Sequence, residues 1–210
     1  ILTRLAEPTD GSIMFEGRDI TRLSNTELRP VRSRLQMIFQ DPYASLNPRM
    51  TVFDMVAEAY RFHHPHASSV DVVDKVEATL ARVGLGARSQ RDRYPHEFSG
   101  GQRQRIGIAR SLIVNPSFIV ADEPVSALDV NVQGQIINLL VELQEENNLT
   151  YLLIAHDLAL VRHVSDEVAV MYLGKIVEWA PASELFDKPR HPYSRLLIDS
   201  APIPDVAAER

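Results

Sequence analysis

Three short apolar runs, each stopped by polar residues, restrict the fold more than any other feature of this 210-residue chain. They are "MIFQ", ending at Gln40, "FIVADE", ending at Asp122 and Glu123, and "LTYLLIAHD", ending at His156 and Asp157. Apolar runs this short, with little alternation, suit strands buried on both faces. A long helical pattern, "VNVQGQIINLLVELQEENN", lies between the second and the third. Strand–helix alternation of this kind implies an α/β fold with a mostly parallel sheet.

Other stretches fill in the frame. "GSIMFEGRDIT" (Gly11 to Thr21) alternates and predicts a strand, and "RLQMIFQDP" (Arg34 to Pro42) predicts a strand stopped by Asp-Pro. From Thr51 the apolar spacing turns helical after a Thr cap, and a second helix runs from Ser69 to Val83 and stops at Gly84. "EFSGGQRQRIGIAR" (Glu97 to Arg110) opens a third, with Ile106, Ala109, Leu112 and Ile113 on one face. "DEVAVMYLGKIVEWA" predicts a hairpin turning at Gly174, with Trp179 packed between core and tail. Residues 43–114 therefore read as a helical insert in an α/β core at 1–42 and 115–185, and 186–210 as a tail.

Composition narrows the function classes. The net charge of -6 argues against free nucleic acid as a partner. With no cysteine, disulfides, thiolate zinc sites and iron–sulfur clusters are excluded within these residues. No apolar run reaches the ~18 residues of a membrane span. No signal peptide opens the chain, so it reads as cytoplasmic and soluble, free to dock on a membrane partner. "HHPH" (His63, His64, His66) lacks helical ligand spacing because Pro65 interrupts it, and it reads as an exposed loop.

Ligands of parallel α/β sheets bind at the carboxyl ends of strands. Asp122 and Glu123 at such an end suit two jobs, Asp122 holding Mg²⁺ and Glu123 polarising an attacking water; the plainer alternative is an acid pair opening a solvated loop. His156 could contact a terminal phosphate and Gln40 could reach metal or water through its amide, although either residue alone is more often an ordinary hydrogen-bonded group. In the turn before the third helix, Ser99 can cap while Gly100 and Gly101 allow close approach of a ligand, where free amides and the helix dipole favour an anion. The alternative there is a plain N-cap with Arg103, Arg105 and Arg110 forming a solvated face.

Taken together, these motifs resemble the ATP-binding subunits of ABC transporters. Phe98-Ser99-Gly100-Gly101-Gln102 is similar to the signature motif, and Phe118 to Glu123 to Walker B with its catalytic glutamate. Ser126-Ala127-Leu128-Asp129 is similar to the D-loop, His156 to the switch histidine and Gln40 to the Q-loop glutamine. Two further stretches, "QDPYASLNPRMTV" (Gln40 to Val52) and "HPYSRLLIDSAPIPD" (His191 to Asp205), are similar to the oligopeptide, dipeptide and nickel importer branch.

The resemblance implies a P-loop NTPase core with an inserted helical subdomain, and ATP and Mg²⁺ as ligands. It implies catalytic roles for Glu123, His156 and Gln40, metal contacts for Asp122 and Gln40, and nucleotide contacts for Ser99, Gly100, Gly101, Gln102 and Asp129. The implied partners are a second ATPase subunit, identical or not, transmembrane permease subunits and, indirectly, a solute-binding protein, at the cytoplasmic face of the membrane. The helical insert around Tyr43 to Asn47 would meet the permease. The family's Walker A loop is not in the chain; Ile1 corresponds to the helix after it, so that loop and the strands before it are expected upstream of Ile1. A non-transport ATPase and an inactive subunit lending only its signature motif are the alternative readings.

Overall fold

The computed structural model describes residues 1–200. The last ten residues of the sequence, part of the expected tail, lie outside the described residues. Two compact units divide the chain, Ile1–Ile154 and Ala155 onward.

The first unit opens with a hairpin, β1 (Met14–Phe15) against β2 (Arg18–Asp19). Glu16 (φ 50°) and Gly17 (φ 76°) are both left-handed, as a tight two-residue hairpin turn requires. The single strand expected over Gly11 to Thr21 is thus folded back on itself. Next comes α1 (Asn25–Arg34), which the sequence reading did not anticipate; Ser24 and Glu27 close a reciprocal capping box at its start despite Pro30 inside it. The strand β3 (Leu35–Ile38) follows directly, one residue later than its expected start.

A helical stretch then intervenes: α2 (Pro42–Ser45), α3 (Val52–His63), α4 (Ser69–Arg82), α5 (Arg88–Arg91), a 3₁₀ turn over Pro95–Glu97, and α6 (Gly100–Leu112). Thr51 caps α3 and Ser68 caps α4. On α6 the expected apolar face is buried at Ile106, Ala109, Leu112 and Ile113. The arginines, however, do not form a solvated face. Arg103 is buried, Arg105 donates to the Val83 carbonyl at 2.8 Å, and Arg110 donates to the Ser45 carbonyl at 2.6 Å. Burial lowers the Arg110 guanidinium from its ordinary pKa, with the Glu58 carboxylate opposing. Their long side chains reach carbonyls that helix ends and turns leave unpaired, which is why charge alone does not place them outside.

The chain returns through β4 (Phe118–Asp122), α7 (Val130–Asn147) and β5 (Thr150–Ile154). The three long strands are parallel in the order β3-β4-β5, with Leu35 opposite Phe118 and Phe118 opposite Thr150. A core of Ile20, Leu28, Val31, Leu35 and Val120 forms where α1 covers this sheet, with the Phe15 ring set edge-on to Phe118.

The second unit contains α8 (Leu158–Val164), the antiparallel pair β6 (Glu167–Tyr172) and β7 (Lys175–Pro181), α9 (Ala182–Asp187) and α10 (Pro192–Ser200). The hairpin turns at Gly174, φ 78°. Trp179 differs from expectation: it lies within β7, is 65% exposed, and donates its indole N–H to Glu167 at 3.1 Å. Its neighbour Glu178 accepts the backbone N–H groups of Arg190 and His191, at 2.8 and 3.0 Å, and so ties the segment before α10 to β7. Desolvation would raise the Glu178 pKa, but the nearby Ser194 hydroxyl and the hydrogen bonds from the Arg190 and His191 N–H groups outweigh it and hold the carboxyl below its ordinary value.

A depressed folded pKa means the contribution is present above the unfolded value and is lost as pH falls through the folded one. Between about pH 5 and about pH 3 the wild-type protein should therefore lose more melting temperature than Glu178→Gln. Thermal melts of the two proteins across that range check this; equal losses would show that the tie contributes nothing. Among the described residues no helix is long and apolar enough to cross a membrane.

Candidate functional site

Parallel register is what assembles the site. Ile38, the last residue of β3, stands opposite Ala121 of β4. Two residues further along each strand come Gln40 and Glu123, which places an amide beside a carboxylate at the carboxyl edge of the sheet. The Gln40 Nε2 donates to Glu123 Oε2 at 2.7 Å.

The backbone of Glu123 is fixed on both sides. Its N–H continues the β5 ladder by donating to the Ile154 carbonyl at 2.9 Å. Its own carbonyl accepts from the Ser126 N–H at 3.2 Å and the Ser126 hydroxyl at 3.1 Å. These bonds hold a non-glycine residue at φ 43°, a left-handed conformation that persists only where the surroundings enforce it. The turn swings the Glu123 side chain out of the pleat and toward Gln40. Asp122, the last residue of β4, lies opposite Ile154. His156 follows β5 by two residues and belongs to the second unit, just before Asp157, whose carboxylate caps α8 through the Ala159 and Leu160 N–H groups.

A carboxylate oriented by an amide donor is suited to accept a proton from water. The oxygens that could serve a hard cation at this edge are the Asp122 carboxylate and the amide oxygen of Gln40. Among the described residues no group of three His, Cys, Asp or Glu forms a self-sufficient metal cage. Such a sparse oxygen set fits Mg²⁺, which keeps water and takes substrate phosphate oxygens for the rest of its shell.

The Ser99 turn is a reciprocal cap. Ser99 Oγ accepts from the Gln102 N–H at 3.4 Å, and Gln102 Oε1 accepts from the Ser99 N–H at 3.0 Å. The two glycines between them lie against other elements. A Cβ on Gly101 would stand 2.4 Å from a Val132 methyl of α7, and one on Gly100 would stand 3.3 Å from Leu128. Asp129, grouped with the nucleotide contacts, caps α7 by accepting the Val132 N–H at 3.1 Å. The structure thus brings the segment 126–129 and the Ser99 turn side by side. Three residues escaped the sequence reading: Ser126 as a support of Glu123, Val132 as the neighbour of Gly101, and Arg103 as a buried group. The offset of three between Glu123 and Ser126 was a usable local signal for the first; nothing in the sequence marks the other two.

The ABC transporter family model matches residues 1–126, a span that contains Gln40, the Ser99 turn, Asp122, Glu123 and Ser126. This chain belongs to the ABC transporter family. A second model, the C-terminal region of oligopeptide/dipeptide transporters, matches residues 177–210, which include the Glu178 tie. Among relatives of this ABC protein, the oligopeptide transport ATP-binding protein OppF of Bacillus subtilis is 53% identical over 210 residues, covering 100% of the chain and 68% of the relative. AppF of the same organism is 57% identical, covering 96% and 61%, and OppF of Escherichia coli is 52% identical, covering 98% and 61%. The chain thus spans 61% to 68% of the length of these relatives.

Solved structures agree on the fold. The cbiO1 subunit of Clostridium perfringens, part of the cbiONQ transporter complex, superposes with a TM-score of 0.78 at 27% identity, covering 89% of this chain and 72% of that one. A dimeric ATP-binding cassette bound to ADP and Pi superposes with a TM-score of 0.76 at 27% identity, covering 86% and 77%. The three-stranded parallel sheet and its helices are those of an ABC ATPase, a P-loop NTPase fold.

Proposed function

We propose that the protein to which this chain belongs is the ATP-binding and ATP-hydrolysing subunit of an importer for peptides or related solutes. The hydrogen bond from Gln40 to Glu123 at the sheet's carboxyl edge is the observation that carries the reading. The match of residues 177–210 to an oligopeptide/dipeptide transporter region supports the solute class and favours a transport subunit over a non-transport ATPase. Residues 1–42 and 115–185 would form the catalytic core, 43–114 the helical subdomain and 186–210 the importer-type tail. The working complex would pair two such ATPase subunits on the cytoplasmic face of the membrane, beneath permease subunits fed by a solute-binding protein.

In this reading Glu123 accepts the proton of the attacking water, and its strained, doubly anchored backbone fixes where that base points. Gln40 orients the carboxylate and reports through α2 whether the site is filled. Asp122 and the Gln40 amide oxygen would hold Mg²⁺, which when bound neutralises phosphate charge. His156 would donate to the terminal phosphate. The Ser99 turn would present the α6 N-terminus, with Gly100, Gly101 and Gln102, to a nucleotide held by the partner subunit, and Asp129 would stand at the same interface.

The test is Mg²⁺-dependent ATP hydrolysis by the full-length protein assembled with its partner subunits. Gln40→Leu should lower turnover about tenfold, the worth of one orienting hydrogen bond to a charged group, while nucleotide affinity changes less than about threefold. Phosphate release and equilibrium nucleotide binding check the two halves. No hydrolysis by the wild-type complex would sink the proposal.

A further inference from the structure

Arg103 is the most unusual side chain outside the groups already assigned. It follows Gln102 directly, sits in the first turns of α6, and is only 7% exposed. Its Nε donates to the Pro95 carbonyl at 2.7 Å and one terminal nitrogen donates to the His96 carbonyl at 3.4 Å. These carbonyls belong to the 3₁₀ turn that leads through Phe98 into Ser99. The other terminal nitrogen is buried with no hydrogen-bond partner among the described residues. Over the guanidinium, 3.8 Å from its central carbon, lies the ring of Tyr43.

Tyr43 is on α2, two residues after Asp41, whose carboxylate caps that helix, and three after Gln40. Tyr43 is 66% exposed, so its ring acts as a lid: one face in water, the other on a buried cation. A desolvated cation over an aromatic face is held more strongly than one at the surface. Arg110 pins the other end of α2 through the Ser45 carbonyl. One continuous set of contacts therefore runs from Gln40, through α2 and Tyr43, to Arg103, and on through Pro95 and His96 to the Ser99 turn.

We propose that Arg103 is a positioning residue, and that with Tyr43 it couples the helix behind Gln40 to the orientation of the Ser99 turn. A displacement of α2, from the Gln40 side or from a partner pressing on the exposed face of Tyr43, moves the guanidinium and with it the turn that carries Ser99. Both act through contacts within the chain, Arg103 on the Pro95 and His96 carbonyls and Tyr43 on the guanidinium. The inference rests on the proposed ATPase function.

The experiment is a double-mutant cycle on the full-length protein assembled with its partner subunits, reading kcat, KM for ATP and equilibrium nucleotide binding. Arg103→Lys keeps the charge but loses the planar fork and the stack. It should lower kcat about tenfold while KM shifts less than about threefold. Tyr43→Ala, a surface change that leaves the fold intact, should lower kcat by a similar factor, and Tyr43→Phe, which keeps the ring, should restore at least half of wild-type turnover. The double variant Tyr43→Ala, Arg103→Lys should also be about tenfold down rather than about a hundredfold, because the two act through one contact. Multiplying effects, or full turnover in Tyr43→Ala, would overturn the coupling while leaving the ATPase assignment standing. A wild-type complex that does not hydrolyse ATP would overturn both.

Discussion

Glu123→Gln should reduce ATP turnover by the assembled full-length protein by about 10²- to 10⁴-fold, the range general-base catalysis supplies, with nucleotide binding retained. The substitution replaces a carboxylate oxygen by an amide of the same shape. Oε1 of the new side chain can still accept from Gln40, and the backbone bonds to Ile154 and Ser126 do not involve the side chain. The capacity to take a proton is removed, and the negative charge goes with it. Melting temperature should therefore stay close to wild type, since a near-isosteric change of this kind costs about 0.5 kcal/mol or less. Losing a negative charge beside a polyanionic ligand should also hold nucleotide binding at wild-type strength or above it. Single-turnover phosphate release beside equilibrium nucleotide binding separates the two effects. Substantial residual turnover would move the base elsewhere, and lost binding with a lowered melting temperature would mean that Glu123 is structural.

Why the sequence disclosed Glu123 but not its surroundings follows from the range of each interaction. The strands β3, β4 and β5 are legible because each is a short, nearly unbroken apolar run closed by polar residues where it leaves the sheet. Burial explains the run for β4, whose Ile119, Val120 and Ala121 are covered, whereas β5 is only half-buried along its middle and exposed at Thr150 and Ile154. Parallel register then fixes Gln40 next to Glu123 from strand ends alone. The helix α1 was not legible. Its only strongly apolar positions are Leu28 and Val31, and Pro30 reads as a breaker, so the capping box of Ser24 and Glu27 has no apolar run after it to mark a helix start. The β1–β2 hairpin read as one strand because Glu16 at positive φ is not an expected turn residue. Arg103 is the least legible residue of all: it lies under Tyr43, sixty residues earlier, a contact that no local pattern announces.

Gly101→Ala should destabilise the protein by about 1–3 kcal/mol, the cost of forcing a methyl into a filled core. The new Cβ would stand 2.4 Å from a Val132 methyl, well inside contact distance. Val132 cannot rotate out of the way cheaply, because a β-branched side chain in a helix has essentially one rotamer. Either α6 or the start of α7 must shift, and with it the Ser99 turn or the segment 126–129. Turnover should fall together with stability. Adding Val132→Ala removes the clashing methyl and should return the melting temperature to that of Val132→Ala alone. Activity after that rescue decides what the glycine is for. The Gly101 Cβ direction points at α7, so its absence is required by packing; turnover should therefore recover along with stability. Recovered folding without recovered turnover would instead mean that a ligand needs the bare backbone of Gly101, the role the sequence alone suggested for it.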